Sequence, residues 1–174
     1  MINIVIPMAG RGSRFSRVGF EKPKPFIDVM GAPMIVRVLD NLAVAKANVI
    51  LIARAEHILQ ESALFASLRR DYGAHIVEID AVTEGTACTV LAAAELINNA
   101  APLLIANSDQ LVDCKMEEFI EDCFQRKLDG SILVFEDELG DPKWSFAQTD
   151  DHGRVLRVRE KEVISSLATV GIYF

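Results

Sequence analysis

INIVIPMAGRGSRFSRVGFEKPKPFIDVMGAPMI, residues 2–35, is the stretch on which the reading of this chain turns. An apolar run rich in β-branched residues, Ile2 to Met8, has the composition of a strand buried on both faces. Gly10 and Gly12 follow it at once. Glycines in that position let the backbone approach a ligand closely and present N–H groups to phosphate oxygens. The dinucleotide fingerprint requires a third glycine at position 15, where this chain has Phe15, and the spacing and Gly-Lys-Ser/Thr ending of a P-loop are also absent. Residues 1–37 carry six bases (Arg11, Arg14, Arg17, Lys22, Lys24, Arg37) against two acids (Glu21, Asp28), a segment charge of +4 in a chain whose net charge is −7. A small cationic site on an anionic body suits a small polyanion.

Working outward, residues 48–53, 74–79 and 102–107 are further short apolar runs of the buried-strand type. Helical periodicity spans 33–46, with Pro33 at the first helical position and Met34, Ile35, Val38, Leu39 and Leu42 on one face, and also 56–71 and 86–98. Strands alternating with helices predict right-handed crossovers and a mainly parallel sheet with helices on both faces, whose ligands lie at the carboxyl ends of the strands. After a helix around 115–127 come four strand-like runs (130–136, 144–150, 154–160 and 167–174) without intervening helices, with DDHG at 150–153 as a hairpin turn. The fold class expected is α/β, in one domain of 174 residues with a nucleotide-binding half (1–112) and a second portion (113–174).

With 51% hydrophobic residues the chain can bury a core. No apolar stretch has the length of a membrane span and the N-terminus lacks a basic leader, so the expected setting is the cytoplasm, with no membrane partner. The acidic balance excludes a general nucleic-acid binder. Cys88, Cys114 and Cys123 have neither disulfide-framework nor zinc-site spacing and are read as reduced thiols. His57, His75 and His152 form no cluster and are expected in solvent or in turns.

G-x-G-x-R, followed about ten residues later by K-P and then by IDVMGAPMI, resembles the signature of the sugar-phosphate nucleotidyltransferases, or nucleoside-diphosphate-sugar pyrophosphorylases. The resemblance covers nearly the whole chain and implies their Rossmann-like fold. It implies that Ala9, Gly10, Gly12 and Ser13 hold a nucleoside triphosphate and that Arg14 and Lys24 are the catalytic cations. Lys24 is preferred to Lys22 because it stands nine positions before Pro33, as the family lysine does. EGTA at 84–87 is similar to the family's base-and-ribose loop, which assigns nucleotide contacts to Glu84, Gly85 and Thr86. ANSDQ at 106–110 makes Asp109 the candidate Mg²⁺ ligand. Glu160, Lys161, Val170 and Gly171 match the positions that bind the sugar 1-phosphate.

The implied reaction needs no general base, since the attacking phosphate oxygen is already ionised. Its obstacle is repulsion between polyanions, and the remedy is cations and N–H dipoles around them. Three departures accompany the resemblance. Glu84 stands where many members carry Gln, and a carboxylate accepts but cannot donate hydrogen bonds, so the base preference does not carry over. Glu-Lys-Glu replaces Glu-Lys-Pro, and Ser145 beside Trp144 occupies a position often held by glycine, so the sugar, or another phosphorylated acceptor, stays open. The family generally continues beyond the last strand present here and supplies a second metal ligand there, which leads us to expect a C-terminally truncated chain with impaired turnover. Two alternatives remain: a glycosyltransferase of related fold using a nucleotide-sugar donor, and a non-catalytic nucleotide-binding or oligomerisation module. A homo-oligomer is compatible with each.

Overall fold

The computed structural model describes residues 1–10, 12, 15 and 17–174. The apolar opening run becomes β1 (Ile2–Pro7), and β2 (Asp28–Val29) and β3 (Ala32–Pro33) form a small hairpin that leads into α1 (Met34–Asn41). Next come β4 (Ala47–Arg54), α2 (Ala55–Gln60), α3 (Ser62–Tyr72), β5 (His75–Ile79), α4 (Thr86–Leu91), α5 (Ala94–Ile97) and β6 (Leu103–Ala106). The second portion holds α6 (Met116–Gln125), β7 (Ile132–Glu136), β8 (Ser145–Thr149), β9 (Val155–Glu160) and β10 (Leu167–Tyr173).

The sheet is eight-stranded, in the order β5-β4-β1-β6-β10-β8-β9 with β7 also paired to β10. β4 and β6 flank β1 in parallel and β5 extends β4 in parallel, whereas every pairing of β10 is antiparallel. Alternation along β1 divides the core. Ile2, Ile4 and Ile6 join Leu51 and Leu104 against Ile35, Val38 and Leu39 of α1, Phe65 and Leu68 of α3, and Met116 of α6. Val5, Ile50 and Ile52 face the other way, onto Val90 and Ala93 at and just beyond α4. Helices thus cover both faces, which is why β1 reads as continuously apolar.

Several boundaries differ from the periodicity. Pro33 is the partner of Asp28 in the β2–β3 hairpin, with extended φ −55° and ψ 142°, and the helix begins at Met34. α1 ends at Asn41 and does not continue to 46, since Lys46 takes a φ of 60° and β4 begins at Ala47. The helix expected over 56–71 bends at Glu61 (φ −110°, ψ 36°) into α2 and α3, and that over 86–98 divides into α4 and α5. An apolar face continues smoothly across such bends, so periodicity cannot detect them. The 150–153 turn forms as expected: Asp150 Oδ1 accepts from the N–H groups of His152 and Arg154, and Gly153 takes a φ of 75°. No helix among the described residues is long and apolar enough to cross a membrane.

Candidate active site

β1 is flanked on one side by β4 and on the other by β6, so the strand order reverses at the carboxyl ends of β1 and β6, where open sheets of this kind hold ligands. A cavity of about 290 Å³ opens there, lined by Met8, Gly10, Gly12, Phe15, Lys24 and Ser108. A second, of about 230 Å³, shares Pro7 and Gly10 with the first and is walled by Ala9, Thr83, Gly85 and Thr86. Together they reach the size of a small-molecule site, roughly 300–1,000 Å³. Gly10 stands between them, so one ligand can occupy both only by crossing the glycine loop.

The glycine loop and the K-P segment are in direct contact. Gly12 has a φ of 59°, a conformation L side chains rarely adopt, and a Cβ there would touch the backbone N and the Cβ of Lys24 at 3.5 and 3.4 Å. Lys24 opens a short 3-10 turn, Lys24–Phe26, whose Phe26 is buried in the main core. From that anchored turn the Lys24 ammonium pairs with Asp109, just beyond β6, and lies 5.6 Å from the centroid of the Phe15 ring. Both partners are about a quarter exposed, which leaves them accessible to a ligand in the cavity. Lys22, the competing lysine, points elsewhere and pairs with Glu61 at 3.4 Å. Ser13 and Arg14 lie outside the described residues.

In the second cavity the loop around Gly85 is held by its own threonines. Thr83 Oγ1 donates to the Gly85 carbonyl (3.1 Å) and meets Thr89 Oγ1 at 2.5 Å, and the Thr89 N–H also donates to the Gly85 carbonyl (3.0 Å). Glu84 and Thr86 are exposed on this braced loop.

The candidate acceptor residues sit on the antiparallel portion. β10 uses one edge for β7 and the other for β6 at Ile172 and Tyr173, then for β8 at Ala168, so the β8–β9 hairpin starts where β6 stops. Glu160 closes β9 opposite Ser145, and the Lys161 N–H donates to the Trp144 carbonyl at 3.0 Å. Lys161 Nζ donates to Glu160 Oε1 at 2.8 Å, which holds that carboxyl below its ordinary pKa. Both side chains are exposed and stand apart from the walls of the two cavities. Val170 and Gly171 lie nearer: the Asn107 N–H donates to the Gly171 carbonyl at 2.9 Å, and a Cβ on Gly171 would overlap the Asn107 side chain.

A family model described as nucleotidyl transferase matches residues 4–174. The chain belongs to the nucleotidyl transferase family. Among relatives, this nucleotidyl transferase chain is 22% identical over 172 residues to the mannose-1-phosphate guanylyltransferase catalytic subunit beta of Dictyostelium discoideum, covering 97% of its own length and 48% of that protein. It therefore spans about half the length of that curated relative. Among solved structures it matches the nucleoside-diphosphate-sugar pyrophosphorylase of Vibrio cholerae RC9 with a TM-score of 0.72 and 25% identity, covering 98% of this chain and 71% of that one. It also matches a UDP-glucose pyrophosphorylase complexed with UDP-glucose, with a TM-score of 0.78 and 17% identity over 99% of this chain and 75% of that one.

The structure adds residues that the sequence did not single out. Ser108 lines the first cavity, Asn107 fixes the β6–β10 junction, and Thr83 and Thr89 brace the loop around Gly85. His57 corrects an expectation: it is 2% exposed, buried beneath the 3-10 turn with its ring edge-to-face on Phe26 at 5.6 Å. Arg54 Nη2 donates to its Nε2 at 2.6 Å, so the ring proton sits on Nδ1, a buried atom without a partner among the described residues. A helical pattern with His57 on the inner face of α2 was the available signal, and the polarity of the side chain masked it.

Proposed function

We propose that this chain transfers a nucleotidyl group from a nucleoside triphosphate to a sugar 1-phosphate: an ionised phosphate oxygen of the acceptor forms a bond to the α-phosphorus, and pyrophosphate departs with the electrons of the α–β bridging bond. The observation that carries this reading is that Lys24 lines one cavity with Gly10 and Gly12 at the strand-order reversal while its ammonium pairs with Asp109, next to the cavity-lining Ser108. Backbone N–H groups of the glycine loop hold the phosphates, Lys24 and Arg14 offset the charge that crowds around the α-phosphorus, and the loop at Glu84, Gly85 and Thr86 holds the base and ribose. Glu160, Lys161, Val170 and Gly171 receive the acceptor from the β8–β10 side.

No group of three or more His, Cys, Asp or Glu capable of enclosing a metal occurs among the described residues. A lone carboxylate at Asp109 suits Mg²⁺ all the same, because Mg²⁺ keeps several waters and is commonly held by one or two carboxylates together with substrate phosphates. Bound there, Mg²⁺ would supply charge neutralisation between the two polyanions. The Lys24 ammonium pairs with the same carboxylate.

Calorimetric titration with each Mg²⁺–nucleoside triphosphate, with the diphosphates as controls, followed by a pyrophosphate-release assay with several sugar 1-phosphates, tests the reading. Triphosphate binding that weakens in both Lys24→Ala and Asp109→Asn is expected. Preference for diphosphates, or pyrophosphate release unchanged in Lys24→Ala, would overturn it.

A further inference from the structure

We propose that His57 is a positioning residue for Lys24: the uncharged imidazole beneath Phe26 holds the 3-10 turn where the Lys24 ammonium reaches Asp109 and the first cavity. The inference rests on the nucleotidyl-transfer reading and deepens it. Lys24 opens that turn, which has no side-chain cap and whose buried residues are Pro25 and Phe26. Phe26 is 1% exposed and packs edge-to-face on two rings, His57 of α2 and Phe65 of α3, each with its centroid 5.6 Å away. Phe65 brings no polar atom. His57 brings two: Nε2 accepts from Arg54 Nη2 at 2.6 Å, and Nδ1 is buried without a partner among the described residues. An apolar ring would fill the same space without an unpaired N–H, so packing alone does not account for a histidine here.

The charged groups around the ring set which of its forms fits. Arg54, at the end of β4, faces Nε2 and pairs with Glu56 of α2, whose carboxylate lies 3.9 Å from Nε2. On the side of the turn, Lys22 is paired with Glu61 and Lys24 with Asp109. From α3 comes Phe65, which carries no charge. A proton on Nε2 would turn the acceptor that Arg54 meets into a donor and set a second cation against the guanidinium. Burial is the first obstacle to that proton and Arg54 the second, with Glu56 opposing them. The protonated ring gives up the Arg54 contact and its place beneath Phe26, and the turn that carries Lys24 moves with it. The cavity therefore keeps its cation in place at neutral pH and loses it as pH falls below the ordinary histidine value of 6.5.

Calorimetric titration of the full chain with ATP, CTP, GTP, UTP and dTTP, each with Mg²⁺, at neutral pH identifies the triphosphate that binds most tightly. That triphosphate is then titrated between about pH 7.5 and about pH 5.5 into the wild type and His57→Phe, which keeps a ring against Phe26 and cannot take up a proton. Protonation of the triphosphate itself is common to both proteins and cancels in the ratio of their affinities. Wild-type affinity should fall about tenfold more than that of His57→Phe over this interval. His57→Gln, which leaves Arg54 an uncharged acceptor, is the second non-titrating variant and should follow His57→Phe. In a Lys24→Ala background the chains with and without His57→Phe should lose affinity equally, because the group through which His57 acts is gone. A histidine that served stability alone would keep its effect there. Equal acid sensitivity of the wild type and both His57 variants, or a His57-dependent loss that persists without Lys24, overturns the assignment and leaves nucleotidyl transfer standing. Failure to bind any triphosphate at neutral pH overturns both.

Discussion

Two lysines two positions apart meet different fates because one belongs to a turn fastened into the core. Phe26 pins the 3-10 turn so that Lys24 reaches Asp109, whereas Lys22 stays at the rim with Glu61. Lys24→Ala should lower turnover about 10²–10³-fold, the usual loss on removing one electrostatic stabiliser, whereas Lys22→Ala, which deletes an ion pair whose lysine is mostly exposed, should leave it within about twofold. Pyrophosphate release under saturating nucleotide measures both. His57 lies under the same turn, and its pKa is pushed down first by burial and then by Arg54, with Glu56 opposing. Its neutral form is therefore the one the fold accepts. The unfolded chain binds the proton more readily, so this group costs nothing above its ordinary pKa of 6.5, and stability is lost as pH falls below that value. Thermal midpoints of the wild type should drop more steeply than those of His57→Phe between about pH 7 and about pH 5.5. At this scale the sequence was legible where chemistry follows chain order: Gly10, Gly12, Lys24 and Asp109 stand within or next to quoted motifs. Asn107 and His57 gain their roles from contacts across the fold, with β10 and with Phe26, which no local pattern encodes.

Strand β10 is the element on which the two halves meet. Its Gly171 has a φ of 88° and lies against Asn107, and the register with β7 shifts in the same short stretch, between Thr169 and Tyr173. Gly171→Ala combines backbone strain with overlap and should cost roughly 1–3 kcal/mol, read by urea denaturation. Adding Asn107→Gly should restore the part due to overlap and leave the part due to φ. The resemblance had assigned Gly171 to the acceptor, and the geometry supplies a packing reason for a glycine there as well. Elements were read well where burial on both faces imposed an unbroken apolar run, as in β1 and β4. Helix ends were read poorly, since the bend at Glu61 and the early start of β4 follow from how the connections close onto the sheet.

On the scale of the whole molecule, charge is segregated: residues 1–37 are cationic in a chain of net charge −7, so triphosphate affinity should fall as ionic strength rises. Ligand at a hundred times its Kd should stabilise the fold by about 2.7 kcal/mol. For a chain of this size that is a thermal shift of roughly 5–11 °C, which differential scanning fluorimetry should record with Mg²⁺ and triphosphate together. The sheet topology also says how the two halves are joined. β6 leaves the edge of β10 at Ile172 and β8 takes it up at Ala168. The intervening residues span about 10 Å at the rise of a strand. That edge of β10 therefore changes partner along the strand, with the Asn107 N–H on the Gly171 carbonyl as a further contact of the first half. The offset between the two halves along β10 is thereby counted in whole residues: trimming side chains leaves it as it is, whereas inserting or deleting a residue in β10 between the two pairings changes it by one strand rise.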